Sequence, residues 1–158
     1  MYRSPSRLPE ESRRKVVAAL NQGLADGLDL HSQIKVAHWN IKGPHFSALH
    51  PQFETFAVGL AAFNDEIAER AVTLGGHVYG TVRHAAGASR LPEYDQETKR
   101  DLDHVRLLAD RFDAYIQGLR EARGVGEKEG DTDTVDLLTG VISEFEKHTW
   151  FLRATLAE

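Results

Sequence analysis

The chain has 158 residues, a length that suits one domain and is short for two. Apolar residues make up 41% and charged residues 27%, both near the averages for a globular domain, which makes disorder, collagen and a coiled-coil rod poor readings. There is no cysteine, which excludes a disulfide scaffold, a thiolate metal site and cysteine catalysis, and the formal net charge of −5 is unlike the basic balance of a dedicated nucleic-acid binder.

No apolar run reaches the roughly 18 residues that a membrane-spanning helix needs. The first residues, MYRSPSRLPEESRRK, lack the apolar middle of a secretory signal. The expectation is a soluble, cytoplasmic protein with no membrane partner. Arg3, Arg7, Arg13, Arg14 and Lys15 face only Glu10 and Glu11, so any affinity for polyanions belongs near a short basic tail of residues 1–9.

Helical spacing of apolar residues then recurs four times. The first segment runs from about Glu10 to Trp39, with Leu20, Leu24, Leu28, His31, Ile34 and His38 on one face. Gly43-Pro44 breaks it, because proline and its restricted predecessor stop a helix. The second runs from about Phe46 to Leu74 on a stripe of Phe53, Phe56, Leu60, Phe63, Ile67 and Leu74, and Gly75-Gly76 ends it. A long connection follows, with a short helix expected at Thr81–Ala86. The third segment, from about Asp95 to Glu121, carries Leu102, Val105, Leu108, Phe112, Tyr115 and Leu119. Gly124–Gly130 reads as a polar turn. Asp131 or Thr132 caps the fourth segment, which runs from about Thr132 to Leu156. Four helices with one long crossover describe an all-α four-helix bundle of the ferritin-like arrangement, one domain over residues 10–158.

The second segment has another face. Glu54, Val58, Ala61, Ala62, Asp65, Glu69 and Val72 recur at helical spacing well around from the phenylalanines. Small apolar residues mixed with carboxylates, and no lysine or arginine, suggest contact with another subunit. Asp65 and Glu69 stand i, i+4, so their charges repel unless a cation or proton intervenes. His38 ends the first helix and His50 opens the second, and Glu54 is one turn beyond His50. Imidazoles with carboxylates suit iron, zinc or manganese. On spacing alone the group reads either as a metal site or as solvated acids beside two incidental histidines. No Glu-x-x-His motif occurs, so a di-iron site within one bundle is not expected. Asp101-Leu102-Asp103-His104 resembles half of one and is read as polarity at a helix start.

His38-Trp39-Asn40, Gly43, Phe46 and His50, then Asp65-x-x-x-Glu69-Arg70 and Leu74-Gly75-Gly76, closely resemble the Dps family of miniferritins. The resemblance continues through Asp110-Arg111, Asp133-Thr-Val-Asp136 and Trp150-Phe151, and spans about residues 10–156. It implies a dodecameric shell that stores iron inside. It also implies a ferroxidase centre between two subunits, with two iron ions held by His38, His50 and Glu54 from one subunit and Asp65 and Glu69 from its neighbour. Zinc substitutes on the same ligands. The family often has aspartate at the place of Glu54. The implied reaction is oxidation of Fe(II) to Fe(III), preferably by hydrogen peroxide, protecting the cell and its DNA.

Trp39 is read as an electron relay beside the centre or as interface packing. His45 is read as a surface histidine or an extra ligand, His31 as a supporting group or a packed residue, and His77, His84 and His148 as incidental. Asp133 and Asp136 either line a three-fold pore or favour the helix dipole. Two other functions remain: a DNA-compacting nucleoid protein working through Arg3 and Arg7, and a metal-binding shell without redox activity. The net acidity implies weak or absent DNA binding.

Overall fold

In the computed structural model, which describes residues 1–157, the elements are α1 (Glu10–Asn40), α2 (Phe46–Thr73), α3 (Val82–Ala88), α4 (Asp101–Glu129) and α5 (Thr132–Thr155). α1 packs along α2 and α4, α4 packs along α5, and α3 lies on α1. The four long helices bury one core, with Leu20, Leu30 and Ile34 of α1 meeting Phe53, Phe56 and Leu60 of α2 and Phe112, Tyr115 and Leu119 of α4. Phe145 of α5 sits edge-on to Phe112 at 5.0 Å and to Tyr115 at 5.1 Å. Each buried ring contributes on the order of 2–3 kcal/mol by leaving water. No described helix is long and apolar enough to cross a membrane.

The first, second and fourth helices end within a residue or two of their expected bounds. The third differs. Residues 95–100 are not helical, because backbone groups there pair with the α1–α2 turn: Lys42 N donates to Lys99 O and Asp101 N to Lys42 O, each at 3.0 Å. At the other end the expected Gly124–Gly130 turn is the last part of α4. Gly126 is buried, and a Cβ there would come 3.2 Å from Val135 Cγ2, so the glycine lets α5 approach. Close packing outweighs the roughly 1 kcal/mol that glycine costs inside a helix. The helix stops only at Gly130, whose φ of 76° is a left-handed cap. Asp131 then caps α5 by accepting from Thr134 N at 3.3 Å.

The long crossover is tied down by Arg90. Its guanidinium donates to Asp26 Oδ2 (3.0 and 2.7 Å) and its backbone N–H to Oδ1 (2.8 Å), which matches a carboxylate only 2% exposed. The first residues lie along the carboxyl end of α2. Tyr2 N donates to Gly75 O (2.8 Å), Ser4 Oγ to Thr73 O (2.7 Å) and Arg13 Nη1 to Leu74 O (2.8 Å), meeting carbonyls that a helix end leaves open. Arg3 and Arg7 remain exposed.

Candidate metal centre

α1 and α2 form a hairpin, so the last turn of one lies beside the first turns of the other. There His38 and His50 are locked reciprocally. His38 Nδ1 bonds His50 O at 2.9 Å, and His50 Nδ1 bonds His38 O at 2.9 Å. A carbonyl oxygen only accepts, so each Nδ1 carries the proton and each Nε2 keeps a free lone pair. This is the tautomer a metal ligand needs, oriented by its other nitrogen. The rings stack with centroids 3.8 Å apart and planes 20° apart, and Phe46 stacks on His50 at 4.8 Å. His38 Nε2 stands 3.5 Å from Glu54 Oε2. Lys35 pairs with the same oxygen, and that hydrogen bond holds the Glu54 carboxyl below its usual range. The Lys35 ammonium also lies 5.7 Å from the centre of the Trp39 ring.

Asp65 and Glu69 are not part of this group. They lie about 16 Å or more along α2 from Glu54 at 1.5 Å per residue, and both are exposed, with no ion pair among the described residues. Among the described residues no three His, Asp or Glu side chains close on one metal position. Yet steps of 100° return Glu54, Ala61, Asp65 and Val72 to one stripe, with Val58 and Glu69 beside it. Apart from Glu54, which meets Lys35 and His38 of α1, the residues of that stripe are exposed, Val58 at 62%. Arg70 turns away to α5, donating to Asp131 Oδ1 (2.6 Å) and Thr134 Oγ1 (2.9 Å).

Trp39 is 68% exposed beside the histidine pair. His45 meets the nearly buried Asp101 at 2.9 Å, an interaction 56 residues apart that no sequence pattern signals. Asp101 is thereby taken up at the α1–α2 turn, and His104 is buried against the Tyr94 hydroxyl at 2.6 Å. His31 is half-buried, and burial first, then the Lys35 charge, lowers its pKa. His148 is buried 4.4 Å from Phe56, and burial lowers its pKa as well. His77 and His84 flank Tyr79 on the surface. Asp133 and Asp136 are exposed at the start of α5. Lys35 and Asp101 are the residues that sequence reasoning missed. Lys35 was within reach, standing three residues before His38 on the same helix face.

Comparison with known proteins defines the class first. The family model for a ferritin-like domain matches residues 17–158. The chain is 33% identical over 157 residues to a DNA protection during starvation protein of Agrobacterium fabrum, covering 99% of this chain and 97% of that one. A Dps structure from Mycobacterium smegmatis superposes with a TM-score of 0.93 at 28% identity, over 98% of this chain and 94% of that one. A Dps protein from Vibrio cholerae O1, described as a member of a broad superfamily of ferritin-like diiron-carboxylate proteins, superposes with a TM-score of 0.91 at 28% identity, over 99% and 98% of the two chains. The chain is a ferritin-like four-helix protein. Within that class it belongs to the Dps family.

Proposed function

We propose that the protein is a miniferritin, a dodecameric shell that oxidises Fe(II) to Fe(III) with hydrogen peroxide and stores the ferric product inside. The observation that carries this reading is the arrangement of α2. At its amino end His50, with His38 of α1 beside it, presents imidazole Nε2 lone pairs next to Glu54, and further along Asp65 and Glu69 stand with no ion pair among the described residues. Partners in an antiparallel helix pair keep a constant sum of residue numbers. A two-fold pairing of α2 that sets Glu54 against Asp65 therefore also sets His50 against Glu69, and Val58 against Ala61. Each such interface holds two centres, each with ligands from both subunits.

Imidazole with several carboxylates suits iron as substrate, and carboxylates favour the harder Fe(III), which makes oxidation downhill. Two Fe(II) ions lose one electron each. The peroxide O–O bond takes both electrons and, with two protons, becomes two waters, so no hydroxyl radical leaves. His38 and His50 keep their protons on Nδ1 and stay as neutral ligands. Exposed Asp133 and Asp136 draw cations toward entry pores. The protein acts in the cytoplasm, protecting DNA and other targets from peroxide and iron.

Complementation tests the shared centre. His50→Ala and Asp65→Ala shells should each lose fast iron oxidation. Shells reassembled from a mixture of the two should partly recover it, because some interfaces then contain one intact centre. Well-assembled mixed shells as inactive as their parents would refute the shared site.

A further inference from the structure

We propose that Asp101, in the first turn of α4, is a positioning residue for the His38–His50 pair and acts through the α1–α2 turn. The proposal rests on reading that pair as a metal centre. Asp101 comes from a helix that supplies no ligand, so nothing in the centre itself points to it.

The two reciprocal hydrogen bonds, each 2.9 Å, require the last turn of α1 and the first turns of α2 to hold one register. Between them the chain passes through Ile41, Lys42, Gly43, Pro44 and His45. Both sides of that turn are bonded to Asp101 or to Lys99 just before it. Lys42 N donates to Lys99 O and Lys42 O accepts from Asp101 N, each at 3.0 Å. Asp101 Oδ2 accepts from His45 N at 2.8 Å and from His45 Nδ1 at 2.9 Å. The second oxygen, Oδ1, accepts from Leu102 N at 2.9 Å. N–H bonds to an ionised carboxylate are about twice as strong as neutral ones. These donors hold the Asp101 carboxyl below its usual range, the backbone bond from His45 foremost.

Gly43 completes the clamp. Its φ is 146°, a conformation that L side chains rarely adopt, and a Cβ there would stand 2.5 Å from Asp101 Cγ. The backbone thus lies directly against the carboxylate, and any side chain would push the two apart. Ligand geometry tolerates only about 0.5 Å of error before affinity falls. Freeing the turn lets the imidazoles slide and tilt without removing any ligand.

The test is anaerobic Co(II) titration of the assembled protein, read by the visible ligand-field spectrum of the ion and by its affinity. Asp101→Ala and Gly43→Ala should each weaken Co(II) binding about tenfold or more, the usual cost of losing an orienting partner, and alter the spectrum. Asp101→Asn keeps one oxygen that accepts from His45 N but sets its NH2 against Leu102 N, and should fall between the wild type and Asp101→Ala. His45→Ala removes only the side-chain bond and should show a smaller loss, which keeps the test usable if Asp101→Ala fails to assemble. Wild-type spectrum and affinity in assembled Asp101→Ala or Gly43→Ala shells would overturn the positioning role. So would an Asn variant as impaired as the Ala variant. Unchanged Co(II) binding in His38→Ala and His50→Ala would instead overturn the metal-centre reading, a separate outcome.

Discussion

Glu54, near the amino end of α2, is held by Lys35 and stands 3.5 Å from His38, whereas Asp65 and Glu69 project from the same stripe with no ion pair among the described residues. The two ends are built differently. Around His50 the backbone carbonyls hold both Nδ1 atoms, the two rings stack, and Lys35 holds Glu54. Around Asp65 two like charges stand a turn apart, a repulsion of about 0.3 kcal/mol that no ion pair among the described residues relieves. In the proposed function the two ends, on different subunits, would together make one centre.

The sharpest break in this comparison concerns the acids. Asp65→Ala should lower iron oxidation roughly a hundredfold, the upper cost seen even for outer partners of a metal. The stability of the protomer should hold or rise slightly, within about 0.5 kcal/mol, as at other exposed sites. His50→Ala should lower both oxidation and stability, since it leaves the His38 carbonyl without its donor and removes a stacked ring. Urea unfolding beside stopped-flow oxidation separates the two, and a large stability loss in Asp65→Ala would show that the acidic end is also tied into the fold.

The neighbour of Glu69 gives the next largest effect. Arg70 pairs with Asp131, whose side chain is 2% exposed. Arg70→Ala should cost about 3 kcal/mol, because it strands a buried carboxylate at the cap of α5. A midpoint unchanged in urea would mean that Asp131 finds another donor.

Trp39 sharpens the comparison at the histidine end. It lies beside His38, with Lys35 between its ring and Glu54. Fe(II) should quench tryptophan fluorescence, and Trp39→Phe should remove most of that quenching while mineral still forms. Trp150, 64% exposed against Phe151, would carry the residue. Quenching that persists in Trp39→Phe would place the iron elsewhere.

The smallest effect is expected on DNA. The basic residues of the tail are few, and the tail is bonded to the carboxyl end of α2 through the Tyr2 backbone N–H and the Ser4 hydroxyl. Gel shifts should show weak or no binding at physiological salt, and removal of residues 1–9 should abolish any binding at low salt. Many tails on one shell amplify a weak contact, so the assembled particle is the form to measure. Tight binding at physiological salt, or binding that survives truncation, would contradict this reading.

Much of the fold was legible in the sequence because it follows from local rules. The apolar stripes of Leu20 to Ile34 and Phe53 to Ile67, the Gly43-Pro44 break and the Asp131 cap are read within a few residues. So was the second face of α2, since carboxylates and alanines at helical spacing share a side whatever they meet. The third helix was displaced for a tertiary reason. Gly124 and Gly126 look like a turn, but Gly126 packs against Val135 and Thr134 of α5 inside the helix, while the α1–α2 turn takes the backbone of residues 99–101.

By itself the sequence determined which residue types stand on which helix face, because helical periodicity is a property of the chain alone. That put His38, His50 and Glu54 in one neighbourhood and Asp65 and Glu69 on one exposed stripe. Only the tertiary structure decided which imidazole nitrogen carries the proton, because that depends on a carbonyl twelve residues away. It also decided that Lys35 holds Glu54 and that Asp101 holds the turn between the histidines. Hydrogen bonds between distant segments follow from how helices pack, and packing is a sum over the whole core that no short stretch of residues contains.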